Sequence, residues 1–174
     1  MVRRRYAALR CNSLQSYSAF KPSVRSQQIG QNDMTSAISG DFGDAVLVLM
    51  KSPKFQDMPL RNLQNTLLEP MDRGQLRIAR GKNPEGREFP IAVLGIAKLS
   101  DKLHEDMLKE PESVALSGDD WSSGGNIWFI FADGPEEFLT PFLQQVKNDE
   151  FSGQDVWIRG RGPDGQATGT KIPE

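Results

Sequence analysis

Asn126-Ile127-Trp128-Phe129-Ile130-Phe131-Ala132, followed at once by Asp133-Gly134-Pro135-Glu136-Glu137, is the stretch on which the fold turns. Seven residues rich in β-branched and aromatic side chains predict a buried strand. Pro135 fixes the backbone angle suited to a helix start, and the two glutamates suit the positive end of a helix dipole. The spacing of Phe138, Leu139, Phe142, Leu143 and Val146 then predicts a helix to about Lys147 with one buried stripe. A strand that hands over directly to an amphipathic helix makes the chain a mixed α and β domain.

Working outward, Val156-Trp157-Ile158-Arg159 reads as a further strand, and Ala167 to Ile172 as a last short segment. Towards the N-terminus, Phe89 to Ala97 is nearly all apolar and predicts a central strand buried on both faces. It is separated from Leu76 and Ile78 by Arg80-Gly81-Lys82-Asn83-Pro84-Glu85-Gly86, so the two form a hairpin. Ser100 or Asp101 caps a short helix, Lys102 to Lys109, that Pro111 stops. Two helices lead the domain. The first has Asp41 as its cap, carries Phe42, Ala45, Val46, Leu49 and Met50, and ends at Ser52-Pro53. The second opens at Pro59, turns Leu60, Leu63, Leu67 and Leu68 to one face, loosens at Pro70 and ends at Gly74. These elements predict a sheet of about four to six strands with helices around it.

Residues 1–40 lack both the helical and the strand period. They are expected to form a leader outside the domain, which spans residues 41–174. Three readings of the leader stay open: a disordered segment, an Arg- and Ser-rich transit peptide, or an extension upstream of a true start at Met34. No apolar core follows the arginines, which excludes a secretory signal.

A chain of 174 residues has room for one real core. Its longest apolar runs, Ala45 to Met50 among them, stop at six residues, far short of the ~20 that a membrane span needs. Stable membrane insertion is therefore not expected. Cys11 is the single cysteine, so an intramolecular disulfide is impossible, and it lies far in sequence from the single histidine, His104. A Cys/His nucleophile pair or metal site is not expected. Residues 35–174 carry 15 basic side chains against 22 acidic ones, a net charge of −7. Such a domain repels phosphate backbones, so no nucleic-acid partner is expected, whereas a lysine-bearing partner is accepted.

Three local signals have bland explanations. Gly160-Arg161-Gly162-Pro163-Asp164-Gly165 matches a dinucleotide-binding pattern in letters, but Pro163 interrupts it and no helix pattern follows. It reads as a hairpin turn. His104, among Asp101, Lys102 and Glu105, reads as a solvated surface residue. Trp121, Trp128 and Trp157 read as core. The loop Ser117-Gly118-Asp119-Asp120-Trp121-Ser122-Ser123-Gly124-Gly125 leads straight into the buried strand. A carboxylate on such a loop is held rigidly, as a general base must be, and it equally well caps its own turn. For Asp120 both readings stay open.

Asp120-Trp121-Ser122-Ser123-Gly124, then Trp128-Phe129-Ile130 and Pro135, resembles the RTX-toxin-activating lysine acyltransferases, the haemolysin-activating proteins. The likeness runs back through Leu94-Gly95-Ile96-Ala97-Lys98-Leu99-Ser100 to the first helix and Ser52-Pro53, covering roughly residues 42–172. It implies an α+β fold akin to the GNAT N-acyltransferases, with a central, mostly antiparallel sheet flanked by helices. It also implies transfer of a fatty acyl group from acyl carrier protein to internal lysines of an RTX-type protoxin, in the cytoplasm and often by a homodimer. The acyl donor is itself a substrate, and no cofactor is implied.

Carried over residue by residue, the likeness makes Asp120 and Ser52 catalytic and gives Trp121, Ser123, Gly124 and Phe55 to the substrate site. Phe55 stands where the family has its catalytic histidine, and phenylalanine accepts no proton. A second family aspartate falls on Phe131, although Asp133 lies two residues on and faces the same side of a strand. Two functions follow. In one the chain remains an acyltransferase, with Asp120 taking the proton of an incoming lysine. In the other it is a member without chemistry that binds the toxin or the carrier protein; Arg77, Arg80, Arg87, Arg159 and Arg161 are then the candidates for a patch that meets the acidic carrier.

Overall fold

Five strands hydrogen-bonded in sequence order form the backbone of the molecule, a computed structural model that describes residues 34–161 and 166–173. β1 (Leu76–Lys82), β2 (Glu88–Leu99) and β3 (Asn126–Asp133) run antiparallel to one another. β3 and β4 (Val156–Arg161) are parallel, and β4 pairs antiparallel with β5 (Ala167–Lys171). The sheet is therefore mixed and mostly antiparallel, as expected. Its one parallel join needs a crossover, and α4 (Glu136–Glu150) supplies it.

Each face of the sheet is covered, which explains why β2 is buried at every residue from Ile91 to Ala97. On one face α4 lays Phe142 and Val146, both fully buried, against Leu94, Ile96, Ile127 and Phe129. On the other face α1 (Met34–Leu49) sets Ala45, Val48 and Leu49 against Val93, while α3 (Asp101–Lys109) packs Met107 with Ala97, Leu99 and Trp128. Ser100 caps α3 as expected: its side chain accepts the Leu103 N–H.

Two boundaries differ from the sequence reading. Among the described residues helix α1 already runs from Met34, upstream of the Asp41 start expected. Asp41 mimics a cap in the sequence, but its carboxylate joins that of Asp44 in gripping Arg80 on β1. The second helix winds unevenly: a 3-10 turn (Leu60–Asn62), a π turn (Gln64–Leu68) and α2 (Glu69–Asp72). Pro70 has no N–H and crowds the turn behind it, so the wider π turn precedes it. The altered winding breaks the leucine stripe. Leu67 is buried, while Leu60 is 82% exposed and Leu68 36%.

The strands on either side of the glycine-rich turn are antiparallel neighbours, and no helix follows it among the described residues. The turn itself, Gly162 to Gly165, lies outside them, as do residues 1–33 and the readings of the leader that concern them.

Candidate functional site

The turn that ends α1 brings Ser52 under the far end of β3. Backbone bonds from Ser52 to Leu49 and from Phe55 and Gln56 back to Ser52 wind this turn tightly around Pro53. The Ser52 hydroxyl donates to Asp133 Oδ2 at 2.7 Å, across 81 residues of sequence, and Ser52 Oγ accepts the Lys54 N–H at 3.3 Å. Both side chains are buried, Ser52 at 6% exposure and Asp133 at 9%. Beside them Phe55 meets Phe131 edge-on, with ring centroids 6.4 Å apart. Phe131 and Asp133 thus face the same side of β3, as the two-residue spacing predicts. Phe131 has room because it lies over Gly95, where a Cβ would come within 2.1 Å of its ring.

Asp120, Trp121, Ser123 and Gly124 gather in a second group, at the other end of β2. Ser122 bridges to Lys98, whereas Asp133 pairs with Val93. Five residues of strand separate those points, roughly 16 Å at the usual rise. The Asp120 carboxylate completes a capping box with Ser117: Oδ2 accepts the Ser117 N–H at 3.1 Å and the Ser117 hydroxyl at 3.3 Å. Its Oδ1 has no hydrogen-bond partner among the described residues. Ser123 Oγ accepts from Ser100 N–H and donates to the Asp120 carbonyl. Gly124 N–H donates to Lys98 O, and a Cβ there would sit 2.5 Å from Leu99 O and Ser100 Cα. Only glycine permits that approach. The Trp121 ring is buried at 2% exposure. Its Nε1 and the neighbouring Gln75 Oε1 are buried without a hydrogen-bond partner, although Gln75 Nε2 donates to the Trp121 carbonyl.

His104 corrects the surface reading. Trp128 Nε1–H donates to its Nδ1 at 3.0 Å, and its ring stands edge-on to Trp128 and Trp157, at 5.7 and 5.3 Å between centroids. Accepting at Nδ1 leaves the ring proton on Nε2. The polar neighbours on its own helix hid this, since the partners arrive from β3 and β4. Lys147 was also missed: it is buried at 6% exposure and its Nζ donates to Pro173 O.

Of the candidate arginines, Arg77 and Arg80 are engaged within the fold. Arg77 holds Glu150 through two bonds of 2.6 and 2.7 Å. Arg80 grips Asp41 and Asp44. Burial alone would lower its pKa, but the bonds and charges of those two aspartates outweigh burial and raise it. Arg87 lies 3.8 Å from Glu85, and Arg159 donates to Val114 O. The Arg161 side chain lies outside the described residues. Among the described residues no group of three or more His, Cys, Asp or Glu side chains is gathered to hold a metal ion, and no helix is long and apolar enough to cross a membrane.

The sequence pattern of the RTX toxin acyltransferase family matches residues 34–171, well over half of the chain. The chain belongs to that family. The match takes in α1 as described, both residue groups, the five strands and the crossover helix. A comparison with curated proteins finds no match. Membership brings toxin activation by acyl transfer.

Proposed function

We propose that this family member moves a fatty acyl group from acyl carrier protein to a lysine of an RTX-type protoxin. The family match over residues 34–171 carries the reading. The sheet supports it. β3 and β4 are hydrogen-bonded only at Ile127–Val156, Trp128–Trp157 and Phe129–Ile158. Beyond that β3 stays on β2 and β4 stays on β5, so the two parallel strands part. The parting leaves the edge of β3 from Ile130 to Asp133 without a β4 partner. A strand edge with free N–H and C=O groups suits the amides of a pantetheine arm. The thioester then arrives beside Phe131 and Phe55, whose rings offer apolar surface to the acyl chain.

The acceptor lysine is an ammonium with an ordinary pKa near 10.4 and must lose a proton before it attacks. Asp120, whose Oδ1 stays outside the cap, is one carboxylate that can take it. A second reading, a member that binds toxin without chemistry, follows from the family likeness, which puts Phe55 in the histidine position.

Incubation of the purified chain with acyl-loaded carrier protein and a lysine-bearing RTX fragment separates them. The acyltransferase reading expects the fragment to gain the acyl mass on lysine. Binding of the fragment with no mass gain defeats that reading and leaves the second.

A further inference from the structure

We propose that Ser52 and Asp133 form the proton-accepting relay of this chain, in the space where Phe55 leaves the family without its histidine; the inference rests on the acyl-transfer reading above. A buried carboxylate ordinarily has its charge met by an ion pair or several hydrogen bonds. Asp133 has neither. Among the described residues its one side-chain hydrogen bond is the Ser52 hydroxyl at 2.7 Å, and no lysine or arginine pairs with it. The charged groups nearby in the chain are committed elsewhere or turned to solvent. Lys51 and Lys54 of the α1 turn are exposed, as are Glu136 and Glu137 at the start of α4, and Arg80 is held by Asp41 and Asp44. An ionised carboxylate has about four lone-pair sites, so Asp133 keeps acceptor capacity.

Ser52 is arranged to hand a proton on. A hydroxyl gives one hydrogen and accepts two. Its hydrogen goes to Asp133 and one lone pair takes the Lys54 N–H, so one lone pair remains for an incoming N–H. Asp133 also closes the stretch of β3 that has lost its β4 partner, two residues from Phe131 on the same face. The relay and the open strand edge are thus contiguous, whereas Asp120 lies at the far end of β2.

The steps balance. The lysine ammonium gives a proton to Ser52 Oγ while the serine proton passes to Asp133, leaving a neutral amine and a protonated carboxyl. The amine nitrogen attacks the thioester carbonyl carbon. As the C–S bond breaks, the remaining proton to be shed from nitrogen goes to the departing sulfur. The products are an amide and the carrier thiol, and Asp133 then releases its proton to water.

Asp133→Asn tests this without removing the tie between the α1 turn and β3, because the amide oxygen still accepts the Ser52 hydroxyl. An amide does not take up the proton. The relay expects an unchanged melting temperature, an unchanged KM for the toxin fragment and a kcat at least a hundredfold lower, the usual cost of losing a general base. A merely structural pair leaves kcat unmoved. Ser52→Ala, expected to lower kcat at least tenfold at unchanged KM, decides the matter alone if the Asn variant does not fold. Wild-type transfer with both variants at wild-type kcat overturns the relay and leaves the acyltransferase standing. Absence of transfer by the wild type overturns both.

Discussion

Trp128 is fully buried, and its Nε1–H donates to a histidine flanked on its own helix by Asp101, Lys102, Glu105 and Asp106. Replacing His104 by alanine removes that acceptor and leaves a buried N–H unpaired, at a cost of about 1–3 kcal/mol. Edge-on contacts with two indoles are lost as well, worth about 0.5–1.5 kcal/mol each at most. His104→Ala is therefore expected to lower the unfolding free energy by about 2 kcal/mol in urea melts, while acyl transfer by the folded fraction stays within a few-fold of wild type. A variant as stable as the parent would return His104 to the surface. The sequence conceals such a residue because its partners lie 24 and more positions away. The Ser52–Asp133 pair is half legible. Strand alternation places Asp133 on the face of Phe131, but nothing in sequence tells that the turn after α1 reaches that face.

At the scale of elements, the strands and the crossover helix were readable because their apolar periods are strong and their ends carry turn residues. Where two signals compete, reading fails. Asp41 has the chemistry of a cap and of an ion-pair partner, and only the arrival of Arg80 decides between them. Pro59 and Pro70 bracket a leucine pattern that a regular helix would bury, yet the winding between them changes from 3-10 to π, and Leu60 and Leu68 are exposed. The Asp120 loop shows the opposite case, in which each letter has a visible task. Trp121 anchors it, Ser123 ties it to α3, and Gly124 lets it touch the backbone of β2. Gly124→Ala is expected to push the loop off Leu99 and Ser100, where neighbouring backbone has little freedom to yield. The cost expected of such overpacking is about 1–3 kcal/mol. A fall of several degrees in melting temperature checks it; an unchanged melt means that the loop docks more loosely than described.

With acyl carrier protein as the proposed donor, the molecule as a whole presents a charge problem. Residues 35–174 carry 22 acidic side chains against 15 basic ones, and acyl carrier proteins are themselves acidic. Of the arginines proposed to meet the carrier, Arg77 is taken up by Glu150 and Arg80 by Asp41 and Asp44; Arg73 is likewise held by Glu69 and Asp119. An arginine already bonded to a carboxylate projects little field, because its partner cancels it at any distance larger than their separation. Two surfaces of like sign approach more easily as salt shortens the screening length, which falls from about 30 Å at 0.01 M to about 10 Å at 0.1 M. Encounter with the carrier is then limited by repulsion rather than steered by attraction, the reverse of the usual case for charged partners. The expected outcome is a kcat/KM for acyl carrier protein that rises severalfold between 0.01 and 0.2 M salt, with kcat at saturating donor nearly constant. A lysine-bearing acceptor should behave oppositely, its KM rising over the same range as its attraction to the acidic surface is screened. If kcat/KM for the carrier falls with salt instead, a basic surface must survive somewhere on the chain, and the five arginine ion pairs named above are weaker in solution than their geometry implies.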